Sequence, residues 1–279
     1  MVATAALTLT ACGDDKASAD NVVRIGTTDK DHAWDVFEEK AKSQGITLRI
    51  TNFSDYKQPN LALSQKQIDL NLFQHLQFLG AYNVANNDTL TPIASTYIVP
   101  LGLYSKKHKS VADLPQGAEI AIPNDPTNQA RALFVLQAAG LLKLSGDAKS
   151  PTPADIDKGA SKVKVTPVDA AQTALSLASV DGSIINNTFL ERSGIDPTSA
   201  LYKDDPKNPA AEPYINVVVS RAADKNNELY QKVAQLWHDP EVQQAHAQVT
   251  KNTAVEVERT GPELEQILTR VQQTIKDGK

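Results

Sequence analysis

Runs of apolar residues with the spacing of strands take turns along this chain with runs that have the spacing of helices. Residues 22–26 and 46–50 predict two strands, and apolar residues at helical spacing lie between them and end at Gly45. The same strand-then-helix order returns over residues 120–136 and 163–178. A repeated strand, helix, strand order favours an α/β architecture with largely parallel sheets.

Two extended segments suggest that the chain passes twice between two such layers. Residues 92–103 predict a long buried segment, interrupted by Pro100 and Gly102, and residues 214–220 predict a buried strand. The proline-rich residues 196–213 between them predict a surface loop. Further strands are predicted at residues 68–73 and 183–186, and helices at residues 60–66, 229–237, 240–249 and 262–275.

These segments predict two lobes, each a mainly parallel sheet flanked by helices, joined by two extended crossings with a ligand cleft between them. Hinges are expected near Val99 and Tyr214. The predicted boundaries are residues 1–20 for a signal remnant and tether, residues 21–98 plus 215–279 for the first lobe, and residues 99–214 for the second.

The first twenty residues have features of an exported, lipid-anchored protein. Residues 2–10 are apolar or hydroxylic, as at the end of a secretory signal, and are too few to span a bilayer. The sequence LTAC at residues 9–12 resembles a bacterial lipobox, which implies lipidation of Cys12 after cleavage, and residues 13–21 have the polar composition of a flexible tether. An ordinary buried cysteine is the alternative. Lipidation would place the protein on the extracytoplasmic face of the cell membrane.

Composition and charge exclude several classes of partner. The chain has 33 acidic and 28 basic residues, a net charge of -5, and no block of basic residues interleaved with aromatics. We therefore expect no binding to nucleic acid. Cys12 is the only cysteine, so no disulfide can form within the chain. As a receptor for a small ligand, the protein is expected to be a monomer.

Residues 120–133, IAIPNDPTNQARAL, predict a strand, a sharp turn and the start of a helix that Asp125 or Thr127 can cap. Asn128 and Arg131 are three residues apart and share one helix face. A guanidinium so near the positive end of a helix is unfavourable unless an anion lies there, so Arg131 is a candidate clamp for a carboxylate or phosphate. The alternative is a solvated arginine or one paired with a neighbouring acid.

Aromatic residues are concentrated in one short segment of a chain that is only 5% aromatic. Phe73 and His75 stand where a strand should end, a position that favours a ligand wall as much as a core. For Phe78 and Tyr82 we expect plain core packing.

Six motifs in matching order give the chain a close resemblance to the bacterial methionine-binding lipoprotein family, the solute receptors of methionine ABC importers. The resemblance covers nearly all of residues 22–249. The motifs are DYKQPNLAL at 55–63, IDLNLFQHLQFL at 68–79, PLGLYSKK at 100–107, AIPNDPTNQARAL at 121–133, SIINNTF at 183–189 and EPYINVVVSR at 212–221. Two positions depart from the family pattern, Gln67 in place of glycine and Gln77 in place of a proline before Phe78.

The resemblance implies a two-lobed, periplasmic-binding-protein-like fold, and it assigns roles to residues. It implies that Tyr56, Phe73 and His75 cage the methionine thioether and stem, and that Arg131 holds the α-carboxylate. The remaining polar groups around the amino-acid head would be Asn128, Asn186 and Asn216. The implied partners are methionine, a membrane permease and its cytoplasmic ATPase, with no cofactor and no reaction catalysed.

Other ligands and other functions are possible alternatives for this sequence. D-methionine, methionine sulfoxide or a methionyl dipeptide share the same head group and remain alternative ligands. A metal receptor is less expected, because the closest histidines, His238 and His246, are eight residues apart and no histidine-rich loop exists. An enzyme is not expected, because the sequence lacks GxSxG, HExxH and phosphate-loop motifs, although His75 and Asp69 could be read as a catalytic pair.

Overall fold

The structure is a computed structural model that describes residues 21–278. The predicted lipobox and its Cys12 lie outside the described residues.

Alternating strands and helices fill the first half of the described chain, as the apolar spacing predicted. The strands are β1 Val22–Thr27, β2 Thr47–Asn52, β3 Leu70–His75, β4 Thr91–Ser95, β5 Tyr97–Ile98, β6 Gly102–Tyr104, β7 Ala118–Pro123, β8 Val163–Val168, β9 Gly182–Ile185, β10 Tyr202–Lys203, β11 Asn216–Ser220 and β12 Val255–Glu256. The α-helices are α1 His32–Ser43, α2 Gln58–Ser64, α3 Leu76–Asn86, α4 Pro126–Ala138, α5 Thr173–Ser176, α6 Thr188–Arg192, α7 Glu228–Leu236, α8 Pro240–Val249 and α9 Gly261–Asp277.

Two five-stranded sheets form the framework. The strand order of the first sheet is β2-β1-β3-β11-β4, and that of the second is β10-β6-β9-β7-β8. A two-stranded pair, β12 with β5, lies beside them. The chain leaves the first sheet after Ser95, joins the second at Gly102, and returns between Lys203 and Asn216. The predicted lobe boundaries at residues 99 and 214 fall within these two crossings and stay a prediction.

In each sheet four of the five strands run in one direction and one strand is reversed, so the prediction of mainly parallel sheets is confirmed, with one reversed strand in each. Each sheet has two parallel and two antiparallel neighbouring pairs. The reversed strand is β11 in the first sheet and β6 in the second. Each is the strand by which the chain enters a five-stranded sheet after a crossing. After a crossing, the chain enters the next sheet at the end that faces the crossing, so its first strand there must run away from that end. The remaining strands end at the edge where the crossings meet.

Apolar residues cover both faces of the first sheet. Val218 of β11 packs with Trp34, Phe37 and Trp237 on one face, whereas Val217 and Val219 belong to the cluster on the other face. The rings of Trp34, Phe37 and Trp237 meet edge to face, with centroids 5.5 to 5.8 Å apart. A continuous apolar strand is what such two-sided burial requires. Each fully buried side chain of this size contributes roughly 1.5 to 3 kcal/mol, so this core fixes the edge that carries the site.

Local signals around α4 are confirmed in detail. The Asp125 side chain accepts from the Asn128 amide and caps the helix, and Pro126 occupies its first turn. Gly140, just beyond the helix, has a φ of 71°, which a side chain would make costly. The predicted helix over residues 170–178 is shorter, since a 3₁₀ turn precedes α5.

Within residues 21–278, every helix is too short or too polar to cross a bilayer.

Candidate functional site

A cleft lies at the edge where the crossings meet, and it encloses about 490 Å³ of empty space, part of it open to solvent. All seven residues predicted as ligand contacts line this cleft: Tyr56, Phe73, His75, Asn128, Arg131, Asn186 and Asn216. Their roles toward a ligand remain predictions, but the fold brings them to one place.

Strand ends bring these residues together from distant parts of the sequence. His75 is the last residue of β3, and its backbone lies opposite Asn216, the first residue of the reversed strand β11. Asn186 follows β9, and Asn128 and Arg131 lie in the first two turns of α4, which follows β7. Because the strands of the two sheets end at the same edge, the cleft receives side chains from both.

Aromatic rings form one wall of the cleft. The Tyr56 ring lies 6.0 Å from Phe73, 5.9 Å from Phe78 and 5.3 Å from Phe189, measured between centroids. Phe78 lines the cleft, so the expectation that it packs only in the core was wrong. Helix α3 starts directly after His75, so Phe78, which is in the first turn of this helix, lies at the same edge. Tyr82, one turn later, packs against the core as expected.

His75 is held as a neutral imidazole. Burial, with the positive charge of Arg131 as a second cause, lowers its pKa to about 3. The Phe78 backbone N–H donates to His75 Nδ1 at 3.1 Å, so the ring proton is on Nε2. Nε2 then donates to Asn128 Oδ1, 3.3 Å away across the cleft. His75 therefore joins the two sides of the cleft as a fixed donor, and the Asp69 pairing that a catalytic role would need is absent, because Asp69 is bonded to Arg24.

The side-chain oxygen of Asn128 is fully occupied by protein partners. Its Oδ1 accepts from His75 and from Asn186 Nδ2 at 2.9 Å, and its Nδ2 donates to both carboxylate oxygens of Asp125 at 3.0 and 3.1 Å. Asn186, in contrast, keeps a buried Oδ1 that has no hydrogen-bond partner within the described chain. Asn128 therefore orients its neighbours, whereas Asn186 presents an acceptor to the cleft.

Arg131 is buried and held from one side. Its Nε donates to Asp204 Oδ2 at 2.7 Å, and its Nη2 donates to the Val99 carbonyl at 2.9 Å and to Asp204 Oδ1 at 3.2 Å. The guanidinium also stacks on the Tyr214 ring, 4.1 Å from the centroid. No acceptor within residues 21–278 is bonded to Nη1. The ion pair that was the alternative to a clamp therefore exists, yet it leaves one edge of the guanidinium available at the cleft.

Sequence reasoning also missed two acidic residues at this site. Asp204 lies in the stretch predicted as a surface loop, 73 residues beyond Arg131, and its carboxylate also accepts from the Leu101 amide at 2.8 Å. No pattern in the sequence pairs it with Arg131. Asp29 lines the cleft as well, from the turn after β1. Its position after a strand is the same signal that singled out His75.

Direct contacts close the cleft around its rim. Arg192 of α6 donates to the Thr28 carbonyl and, at 3.1 Å, to Asn52 Oδ1. Lys57 pairs with Asp169 at 2.8 Å. A further rim ion pair joins Lys251 and Asp196. These contacts join residues near the first sheet to residues near the second.

Titratable side chains do not assemble a metal centre in this part of the molecule. Among the described residues, no three His, Cys, Asp or Glu side chains come together in a way that could hold a metal ion. His246, one of the pair considered from the sequence, bonds through Nδ1 to Glu256 at 2.9 Å and stacks on Tyr97.

Comparison with known proteins identifies the family of this chain. The family model for NlpA lipoprotein matches residues 23–257, which is most of the chain. The chain belongs to the NlpA lipoprotein family.

Members and structural neighbours of the NlpA lipoprotein family match over almost their whole lengths. The Escherichia coli D-methionine-binding lipoprotein MetQ is 32% identical over 256 residues, which are 89% of this chain and 93% of the relative. The crystal structure of the substrate-binding protein of a methionine transporter from Streptococcus pneumoniae has a TM-score of 0.79 at 35% identity, covering 85% of this chain and 96% of that one. The structure of a nutrient-binding protein from Burkholderia cenocepacia bound to methionine has a TM-score of 0.78 at 35% identity, covering 84% and 99%.

Proposed function

We propose that this protein is the solute receptor of an ABC importer and that it binds methionine in the cleft. The observation that carries the proposal is the composition of that one cleft, with a buried arginine at one end and a wall of aromatic rings at the other. The D-methionine named for the Escherichia coli relative and the methionine named for the Streptococcus and Burkholderia proteins support methionine, in one or the other configuration, as the ligand here.

The polar end of the cleft suits the carboxylate of an amino acid. Arg131 offers Nη1, and its remaining nitrogens are fixed by Asp204 and Val99, so the guanidinium is pre-oriented and loses little freedom on binding. The clamp we propose is thus a single presented edge, with Asp204 behind it. Asn186 Oδ1 supplies an acceptor beside it. Asn216, whose Nδ2 bonds to the Tyr97 carbonyl at 3.3 Å, adds a further amide to this end.

The aromatic wall suits a thioether. Tyr56, Phe73 and Phe78 present faces and edges around one apolar space. Sulfur is polarisable and gains roughly 0.3 to 1.5 kcal/mol per aromatic contact. Neutral His75 adds an uncharged ring, so no charge has to be buried against the methionine side chain.

The transport cycle follows from the two-sided arrangement. We propose that residues 21–98 with 215–279 form one lobe and residues 99–214 the other, with hinges near Val99 and Tyr214. Ligand contacts from both lobes would favour the closed state, because a ligand can shift an equilibrium only through differential affinity. The closed receptor would then deliver methionine to a membrane permease driven by a cytoplasmic ATPase. No bond is made or broken, and a monomer suffices.

We also propose that Cys12 carries the lipid anchor that holds this receptor on the extracytoplasmic face of the cell membrane. The family description as a lipoprotein supports this assignment. Two or more acyl chains would anchor it stably, at about 0.8 kcal/mol for each buried methylene.

Chiral chromatography coupled to mass spectrometry tests the ligand, because it separates the two enantiomers of methionine among the small molecules released from the purified protein. We expect methionine in a stoichiometric amount. D-methionine, methionine sulfoxide or a methionyl dipeptide in its place would keep the receptor and change the ligand. One tightly bound zinc per chain, or turnover of a substrate, would overturn the proposal.

A further inference from the structure

Three amide side chains form a closed hydrogen-bonded cluster in the core behind the aromatic wall of the cleft. Asn60 of α2 donates to Gln74 Oε1 at 2.8 Å, and its Oδ1 accepts from Gln74 at 2.6 Å and from Asn71 at 3.0 Å. Gln74 also donates to Asn71 Oδ1 at 3.0 Å. All three residues are at most 2% exposed, and each oxygen and nitrogen has its partner within this amide cluster.

The amide cluster requires an irregularity in strand β3. In a regular strand, residues three apart, such as Asn71 and Gln74, point to opposite faces of the sheet and could not both bond to one residue of α2. The pairing shifts by one residue at this point, because two successive residues of β11 lie opposite Gln74 and Leu72. Phe73 is therefore the extra residue of a β-bulge, and the amide cluster and the bulge depend on each other.

Helix α2 depends on the same cluster for its position. It has only seven residues, and the side chain of its N-cap residue, Lys57, pairs with Asp169 instead of capping the helix. A helix this short is stabilised by its packing rather than by its own hydrogen bonds. Its buried residues are Asn60 and three apolar side chains, so the bonds of Asn60 to β3 fix how the helix lies on the sheet.

Both elements that the amide cluster joins carry rings of the cleft wall. Phe73 is the bulge residue itself, Tyr56 stands in the turn that leads into α2, and the two rings lie 6.0 Å apart. Apolar side chains could hold α2 against β3 as firmly, but only directed hydrogen bonds also fix the register and the angle. Gln74 is one of the described residues that line the cleft, whereas Asn60 and Asn71 pack behind it.

We propose that Asn60 is a positioning residue for the aromatic wall, which sets the ring of Tyr56 through α2 and the ring of Phe73 through the bulge. The inference rests on the proposed function, because it explains how the wall is kept in the shape that the methionine side chain needs. It also accounts for the buried polar residues in two motifs of the sequence, DYKQPNLAL at 55–63 and IDLNLFQHLQFL at 68–79.

A double-mutant cycle measured by calorimetric titration of methionine tests this role. Asn60→Ala should raise the dissociation constant roughly tenfold, which corresponds to the loss of one or two aromatic contacts to sulfur. In a Tyr56→Ala background, the same substitution should raise the dissociation constant less than about threefold, because the ring that Asn60 positions is gone.

Asn83→Ala is the matched control, because it also removes a buried amide from a helix packed on the first sheet. Its Nδ2 donates to the Leu90 carbonyl at 2.8 Å, away from the amide cluster. This control should lower the unfolding temperature and leave the dissociation constant for methionine unchanged.

An apolar replacement of the whole amide cluster separates positioning from stability. Asn60→Leu, Asn71→Leu and Gln74→Met together remove all three amides, so none of them is left buried without a partner and the protein should stay folded. The dissociation constant of this triple variant for methionine should still rise roughly tenfold, because the directed bonds are gone.

Two results would overturn the assignment of Asn60 while the receptor function stands. In one, the folded triple variant binds methionine with the wild-type dissociation constant. In the other, Asn60→Ala weakens binding by the same factor with and without the Tyr56 ring. If either the triple variant or Asn60→Ala does not fold, the other measurement decides. If wild type binds no methionine, the proposed function fails and the assignment of Asn60 fails with it.

Discussion

Replacing Arg131 with alanine removes the guanidinium that we assign to the ligand carboxylate. The side chain is only 5% exposed, so the ligand carboxylate would be left in a poorly hydrated site without its partner. Truncating one member of such a buried pair typically costs about 2 to 5 kcal/mol of binding free energy. At 1.4 kcal/mol per tenfold, the dissociation constant for methionine should rise between about 30-fold and several thousand-fold.

The same substitution also strips Asp204 and the Tyr214 ring of their partner. Asp204 is 28% exposed and keeps the Leu101 amide, so water can solvate it and the loss of stability should stay well below the roughly 3 to 5 kcal/mol of a fully buried pair. Asp204→Asn is the matched variant, because it removes the charge and one of the two accepting oxygens but leaves the other as an acceptor for Arg131. Its effect on methionine binding should be several-fold smaller than that of Arg131→Ala.

Calorimetric titration of ligand-free protein measures both dissociation constants, and circular dichroism checks that each variant is folded. A folded Arg131→Ala variant with the wild-type dissociation constant would refute the clamp, and it would return Arg131 to the role of an ion-pair partner of Asp204.

Three further predictions concern protonation and closure. His75 stays neutral in the folded protein down to about pH 3, whereas in the unfolded chain it takes up a proton near pH 6.5. The free energy of unfolding should therefore fall as the pH falls below 6.5, by up to about 1.4 kcal/mol per pH unit. Urea titrations of His75→Asn should show a shallower fall. The pH dependence expected from Asp31 has the opposite sign, because burial raises the pKa of its carboxyl group to about 7. Its contribution to stability is present below the unfolded pKa near 3.8 and is lost as the pH rises toward 7. The Tm of Asp31→Asn should therefore depend less on pH over that window than the Tm of wild type. Arg192→Ala should speed methionine dissociation about 3- to 10-fold in stopped-flow experiments, because one or two hydrogen bonds across the cleft are lost. Lys57→Ala should change the rate less than twofold, because the Lys57 side chain in its ion pair is 74% exposed. Equal rates for both variants would contradict the role of Arg192 in holding the cleft closed.

Local residue patterns carried much of the candidate site. The strand ending at Pro123, the cap at Asp125 and the shared face of Asn128 and Arg131 all depend on residues within one turn of each other. Such short-range rules act before tertiary packing does, so they can be read directly from the sequence. The same holds for His75 at the end of β3.

Long-range partners escaped because nothing local encodes them. Asp204 meets Arg131 only when a loop folds back over the crossing, and Asp29 meets the cleft only when β1 lies beside β3. Phe78 was expected in the core because an aromatic residue on a helix usually packs there. The reversed strands were not predicted for the same reason, since the direction of β6 and β11 depends on which edge a crossing reaches.

A crystal structure of the protein with bound methionine would test most directly whether the cleft is the methionine site. We predict density for one zwitterion in the cleft, with its carboxylate within hydrogen-bond distance of Arg131 Nη1 and its sulfur among the rings of Tyr56, Phe73 and Phe78. Methionine bound outside this cleft, or inside it with the sulfur toward Arg131, would contradict the account.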